Sequence, residues 1–338
     1  MKAVGYQQSL PIDDTAALLD IELPKPVPAG RDLLVAVKAV SVNPVDTKVR
    51  RRAAPPAGEF KVLGYDAAGV VEAVGPEVKL FKPGDQVFYA GSNQRSGTNA
   101  EFHLVDERIV GRKPASLDFA PAAALPLTAI TAWELLFDRL KVQPGKSHDP
   151  RTLLIIGGAG GVGSMLIQLA RRLTGLTVVA TASRPESRKW CLELGAHAVI
   201  DHSQKLPPQL AALALPPVAL IASLTGTEQH FPALVEVLAP QGQIGLIDDP
   251  ATLNPMLLKA KSASLHWEAM FARSTFQTDD MIAQHQLLND VADLIDKGVL
   301  RTTLDQSFGT INAANLKRAH ALIESGKAVG KIVLEGWQ

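Results

Sequence analysis

The sequence holds a single cysteine, Cys191, among 338 residues. That excludes an intramolecular disulfide and a four-cysteine metal lobe, and it sets the expectation of a reducing, cytoplasmic setting. Cys191 lies in a stretch of helical spacing before Gly195 and reads as a packing residue. Net charge is lacking too: 34 Lys and Arg balance 34 Asp and Glu. With no basic stripe, nucleic acid and anionic membranes are not expected partners. No apolar run is read as reaching membrane-spanning length. The opening Met1-Lys2-Ala3-Val4-Gly5-Tyr6-Gln7 has no apolar core of a secretory leader. Tyrosine is scarce, with Tyr6, Tyr65 and Tyr89 alone. None has Lys four residues on, which excludes the Tyr-x-x-x-Lys pair of short-chain dehydrogenases.

What is present is a glycine turn in a specific context. Leu153-Leu154-Ile155-Ile156 is an apolar run that ends in Gly157-Gly158-Ala159-Gly160-Gly161-Val162-Gly163, and Met165 to Ala170 follows with helical spacing. Gly158, Gly160 and Gly163 fit G-x-G-x-x-G. In that motif the first glycine permits the turn, the second admits a pyrophosphate, and the third lets helix pack on strand. Gly160, Gly161, Val162 and Gly163 then open a helix whose N-terminal N–H groups and dipole favour phosphate. The competing reading is an ordinary strand–helix turn.

Strand and helix alternate from about residue 152 to 247, which predicts a doubly wound parallel sheet of the Rossmann type. The first third instead holds short strands, such as Leu33 to Val40 and Gly69 to Gly75, separated by loops, and reads as a partly open β-barrel. Arg50 to Gly58 reads as a basic, Pro-rich loop. Segments after residue 275 look like a return to the first domain. The expected division is residues 1–125 and 275–338 in one domain and residues 126–274 in the dinucleotide-binding domain, with the cofactor in the cleft between them.

An NAD-binding turn carries Asp or Glu about twenty residues past its first glycine, to bond the ribose hydroxyls. Here the second strand ends in Thr181-Ala182-Ser183-Arg184-Pro185, with no carboxylate. Ser183 can donate a hydrogen bond, and Arg184 can pair with a 2′-phosphate, with Arg188 on the next helix. NADP(H) is therefore the expected cofactor. Ile247, at a strand end, is expected beside its nicotinamide half.

Further blocks carry a resemblance over nearly the whole chain. They are Ser41-Val42-Asn43-Pro44-Val45-Asp46-Thr47-Lys48, Leu63-Gly64-Tyr65-Asp66-Ala67-Ala68-Gly69, Pro83-Gly84-Asp85-Gln86-Val87, Leu125-Pro126-Leu127-Thr128-Ala129, and Gly330-Lys331-Ile332-Val333-Leu334. In order and spacing they resemble the medium-chain dehydrogenase/reductase superfamily, in its quinone-oxidoreductase-like branch. The subgroup most resembled is the one called zinc-type alcohol dehydrogenase-like. The resemblance implies a GroES-like barrel domain beside the Rossmann domain. It also implies Thr128 beside the nicotinamide, Lys331 near the cofactor, and His202 beside the 2′-phosphate.

A catalytic zinc needs about three Cys, His or acidic ligands. In zinc-dependent relatives the first ligand is a cysteine in the segment that here holds Asn43. The second is the histidine of Gly-His-Glu, which here is Gly64-Tyr65-Asp66. Both positions depart from the pattern, so no metal is expected. The expected activity is NADPH-dependent, zinc-independent hydride transfer to a quinone or an α,β-unsaturated carbonyl. Asn43 and Tyr65 would offer hydrogen bonds to the substrate oxygen, with Asp46 as an orienting residue. Asn43 could instead shape a turn, and Asp66 could cap backbone N–H groups. The alternatives are a zinc-dependent alcohol dehydrogenase and a non-catalytic NADPH-binding sensor or structural protein. Apolar and aromatic residues crowd Ser262 to Phe271, an outer strand in relatives, and predict a homodimer through that edge.

Overall fold

The β-branched and leucine-rich stretches of the first third form strands, as their composition favours. A computed structural model describes residues 1–147 and 149–337. In chain order the first part holds β1 (Lys2–Tyr6), β2 (Leu19–Glu22), β3 (Asp32–Val42), α1 (Pro44–Arg52), β4 (Lys61–Val62), β5 (Ala67–Val74), β6 (Gln86–Tyr89), β7 (Phe102–Asp106), β8 (Val110–Arg112), α2 (Phe119–Ala123) and α3 (Pro126–Trp133). Next come β9 (Thr152–Ile156), α4 (Gly161–Leu173), β10 (Thr177–Thr181), α5 (Pro185–Glu193), β11 (Ala198–Ile200), α6 (Leu206–Ala212), β12 (Val218–Ser223), α7 (Thr227–Val237), β13 (Gln243–Leu246) and β14 (Ser264–Trp267). The last part holds α8 (Ala272–Phe276), α9 (Ala283–Asp296), β15 (Leu304–Ser307), α10 (Ala313–Glu324) and β16 (Lys331–Glu335). The chain divides into two units, Met1–Ile130 with Phe271–Gln338 and Thr131–Met270.

The first unit is built around β3. One edge of this long strand pairs with β5, and its other edge is shared by β7 along Asp32 to Ala36 and by β16 along Ala39 to Val42. The full sheet runs β15-β16-β3-β5-β6-β8, with β7 on β3, and a small sheet runs β2-β1-β4. Leu33, Val35, Val37, Val71, Val87, Val105 and Ile332 fill its core. Register here places the site. Ile332 lies opposite Val42, and Ala67 lies opposite Val40. Lys331 and Asp66 are thereby brought to the end of β3, where Asn43 begins α1.

The second unit is the expected Rossmann sheet, in the order β11-β10-β9-β12-β13-β14 and parallel throughout. The order reverses at β9, and the glycine turn leaves the carboxyl end of that strand. Leu154, Ile156, Val179, Ile221, Phe231 and Ile244 form its core.

Several local readings change. Arg50, Arg51 and Arg52 lie in the last turn of α1 rather than in a loop. Pro44 at the first helical position favours that helix, and Arg50 is drawn inside to bond Leu10 O and Glu324. α6 starts with Leu206-Pro207-Pro208, where proline is tolerated because first-turn N–H groups have no partner. The helical stretch at residues 119–139 is, by length and composition, apolar enough to cross a membrane, but most of it is packed inside the protein.

Candidate active site

Four side chains meet where β3 ends. Lys331 Nζ donates to Val42 O at 3.1 Å, to Asn43 Oδ1 at 2.5 Å and to Asp66 Oδ2 at 2.9 Å. All three of its hydrogens are thus engaged. Asn43 Nδ2 donates to Asp66 Oδ2 at 2.7 Å, and more weakly to Ser41 O at 3.4 Å. Asp66 Oδ1 accepts from Leu127 N at 2.8 Å, in the first turn of α3. Asp46 accepts from Asn43 N at 2.7 Å and from Gly64 N at 3.0 Å. All four side chains belong to residues no more than 3% exposed.

This geometry engages Asn43 and Lys331 within the protein. The Asn43 amide is spent on Asp66, Ser41 and Lys331 and faces inward. Lys331 likewise turns its ammonium into the protein, because two carboxylates in so dry a place need a counter-charge. Asp66 is the residue whose weight the sequence understated: it caps a helix, as expected, but it also holds the ammonium. Burial pushes the Asp46 carboxyl up to about 7, although the Asn43 and Gly64 N–H groups and the Lys331 charge pull it down. Burial raises Asp66 in the same way, against Lys331 and the Asn43 amide.

Tyr65 is framed by this cluster, since Asp46 holds the N–H of Gly64 before it and Asp66 follows it. Its ring is nearly buried and meets Phe271 edge-on, with centroids 5.2 Å apart. Its hydroxyl has no hydrogen-bond partner among the described residues. Burial, with the Asp46 charge nearby, raises its pKa and keeps the phenol protonated. Thr128, also buried, donates to Leu125 O at 3.1 Å in the first turn of α3.

In the second unit, the glycines divide their work differently from the simple motif. The left-handed backbone falls on Gly157, with φ +81°, rather than on Gly158. A Cβ on Gly158 would meet Ala180 Cβ at 2.7 Å and Cys191 Sγ at 3.1 Å, so that glycine serves packing. A Cβ on Gly163 would meet Gly157 O at 2.5 Å, which is the close helix–strand approach expected of it. Gly160 has nothing nearer than 3.7 Å to such an atom and leaves open space before Gly161 and Val162. Cys191 is fully buried, its thiol pushed up to about 12 by burial, as suits a packing residue.

Ser183 is exposed after β10, and Arg184 makes a 3.3 Å ion pair with Glu186. Arg188 donates to Val199 O at 2.8 Å. His202 Nδ1 lies 3.2 Å from Thr181 Oγ1, which also accepts from Gly157 N at 3.0 Å. Thr181 thus ties His202 to the glycine turn, a role no sequence signal gives. Ile247, half-buried, follows β13 at the same carboxyl edge of the sheet. A phosphate-bearing dinucleotide fits these residues: an open glycine, a helix start and two arginines at one sheet edge.

Residues 29–115 match the alcohol dehydrogenase GroES-like domain, and residues 194–334 match the family described as zinc-binding dehydrogenase. A zinc-type alcohol dehydrogenase-like protein of Staphylococcus aureus (strain MSSA476) is 41% identical over 342 residues, covering 99% of each chain. The chain belongs to the medium-chain dehydrogenase/reductase superfamily. Within that superfamily it falls in the quinone-oxidoreductase-like branch, and solved quinone oxidoreductases carry the same fold. A crystal structure from Rhizobium etli CFN 42, of a protein provisionally named a zinc-dependent alcohol dehydrogenase, is 61% identical with a TM-score of 0.96, covering 100% of this chain and 98% of that one. The chloroplast NADPH-dependent alkenal/one oxidoreductase of Arabidopsis thaliana is 39% identical over 188 residues, 51% of this chain and 45% of that one.

The residues of this medium-chain dehydrogenase/reductase do not fit the zinc that its relatives' names imply. Where the resemblance implies the first two ligands, Asn43 and Tyr65 offer an amide and a phenol, and Lys331 puts an ammonium among the neighbouring oxygens. Among the described residues no group of three His, Cys, Asp or Glu side chains could hold a metal ion.

Proposed function

We propose that the protein is an NADPH-dependent reductase of quinones or α,β-unsaturated carbonyl compounds that works without zinc. The observation that carries this reading is the Tyr65 hydroxyl. It is held beside Phe271, with the Asp46 charge nearby, and no group among the described residues claims its hydrogen bond. Conjugated substrates spread incoming charge, so a hydrogen-bond donor can serve where a saturated carbonyl needs a Lewis acid. NADPH, when bound, supplies the hydride. Ser183, Arg184, Arg188 and His202 would hold its 2′-phosphate, and Gly160, Gly161, Val162 and Gly163 its pyrophosphate. Tyr65 would donate a hydrogen bond to the substrate oxygen as negative charge gathers there. Its raised pKa makes it a poor proton source, so water would deliver the proton that completes reduction. Asp46 positions the Gly64 peptide beside Tyr65 and need not touch substrate.

The sharing of NADPH and alkenal/one chemistry in the name of the Arabidopsis relative supports the same reading. A screen of NADPH oxidation over quinones, enones, saturated aldehydes and alcohols, with and without chelator, tests it. Chelator-insensitive turnover of enones or quinones is expected. Turnover confined to alcohols and dependent on added zinc would overturn it, and so would tight NADPH binding with no turnover of any substrate.

We also propose a homodimer. β14 closes one edge of the second unit's sheet, and Trp267 on it is 54% exposed. An uncovered edge of this kind is a template for a second copy.

A further inference from the structure

Three oxygens converge on one point at the end of β3: Val42 O, Asn43 Oδ1 and Asp66 Oδ2, all within 3.1 Å of Lys331 Nζ. The oxygens come from two chain segments, and the cation that joins them comes from a third, β16. Asp66 extends the linkage to Leu127 N in α3, and Asp46 secures Asn43 N and Gly64 N beside it. A single positive charge therefore sits at the hub of four segments, among residues no more than 3% exposed. Metal ions commonly occupy such a hub, ordering carboxylate, amide and carbonyl oxygens around one centre.

We propose that Lys331 is the resident cation of this site, organising Asn43 and Asp66 as a metal would and excluding a divalent ion by its charge. Its ammonium satisfies three acceptors with three hydrogens, and a dication brought among the same oxygens meets a buried like charge. Removing that charge leaves a carboxylate, an amide oxygen and a main-chain carbonyl around one void. Hard oxygen donors of this kind suit Mg²⁺ or Mn²⁺ better than Zn²⁺. The site is thus one lysine away from binding a metal.

Mn²⁺ binding to the purified full chain, followed by electron paramagnetic resonance, tests this without substrate or NADPH. It stands or falls apart from the reductase reading. Wild type and Lys331→Arg are expected to bind no ion here. Lys331→Met should bind about one Mn²⁺ per chain at roughly millimolar metal, and Lys331→Met with Asp66→Asn should lose it. A folded Lys331→Met that takes up no ion overturns the proposal, and so does a wild type that holds a stoichiometric ion released by Asp66→Asn. Should Lys331→Met fail to fold, wild type labelled with ¹⁵N-lysine decides. One ammonium resonance protected from water exchange at neutral pH, and absent from Lys331→Arg, is expected. No protected ammonium resonance would mean that Lys331 is not a resident cation.

Discussion

Asp66 accepts a hydrogen bond from Leu127 N at 2.8 Å with one carboxylate oxygen and the Lys331 ammonium at 2.9 Å with the other. One side chain thus caps α3 and closes a buried ion pair. Asp66→Ala should destabilise the protein by about 3–5 kcal/mol, because it leaves a buried ammonium without its counter-charge. Urea denaturation at neutral pH measures this. A loss below about 1 kcal/mol would mean that the pair is not the hub described.

Tyr65→Phe keeps the ring against Phe271 and removes the hydroxyl. The expected result is a fall in kcat of roughly a hundredfold on an enone or quinone, as for loss of one oxyanion donor. NADPH affinity should be unchanged. A variant with full kcat would remove Tyr65 from the chemistry.

Cofactor choice is the next expectation. NADPH should bind at least about tenfold more tightly than NADH, roughly 1.4 kcal/mol. Arg184→Ala should erase most of that margin and leave NADH binding nearly unaltered. Calorimetry on the unmodified protein would refute the assignment by giving equal affinities.

Glu268 should contribute stability that falls as pH rises above the ordinary carboxylate range. Glu268 and Glu134 are both buried, with Arg139 donating to Glu268 at 2.8 Å. Burial and the neighbouring Glu134 push Glu268 from 4.5 up to about 8, although Arg139 pulls it down. Between those values the folded chain holds a proton that the unfolded chain has released. The contribution of Glu268 to stability is therefore fully present below about pH 4.5 and declines until about pH 8. Asp46 adds the same sign up to about 7. Glu268→Gln mimics the protonated form, so its urea midpoint should vary less with pH across this window. A midpoint as pH-dependent as that of wild type would show that Glu268 is ionised in the fold.

Assembly can be read by sedimentation. A single 36.0 kDa species at micromolar concentration would rule out the dimer. Ser264 N and Glu268 N donate inward, to Gly242 O and Leu246 O of the neighbouring strand region. By strand alternation the Leu265 N–H points away from β13. Leu265→Pro should therefore weaken the dimer while sparing the inner ladder.

The second unit was legible because its signals are local. An apolar strand, a glycine turn and a helix sit side by side, and the missing acid after Thr181 falls at a fixed distance. Even so, the positive φ moved to Gly157, since sequence spacing does not assign backbone angles one by one. The first unit's site was legible only in parts. Asn43 and Tyr65 could be named by resemblance, but their partners could not be read from spacing. Lys331 lies 288 residues from Asn43 in the chain, and the register of β16 on β3 alone joins them. That register reversed the direction of the Asn43 amide, from open space to a buried ammonium. Glu134 and Glu268 escaped notice for the same reason, each being an ordinary helix or strand-end acid until the fold buries both.

The division of the chain has a consequence for how it is made. Thr131–Met270 is one continuous stretch, whereas the first unit is completed by segments that follow it. A ribosome that has synthesised Met270 has delivered everything the Rossmann sheet requires. At that moment β3 has an unpaired edge at Ala39 to Val42, and Asp66 has no ammonium. The nascent barrel must wait in that state, with a dry carboxylate pocket half assembled, until β16 emerges. Domains that fold as units during synthesis would place the nucleotide-binding unit first and the Tyr65 framework last.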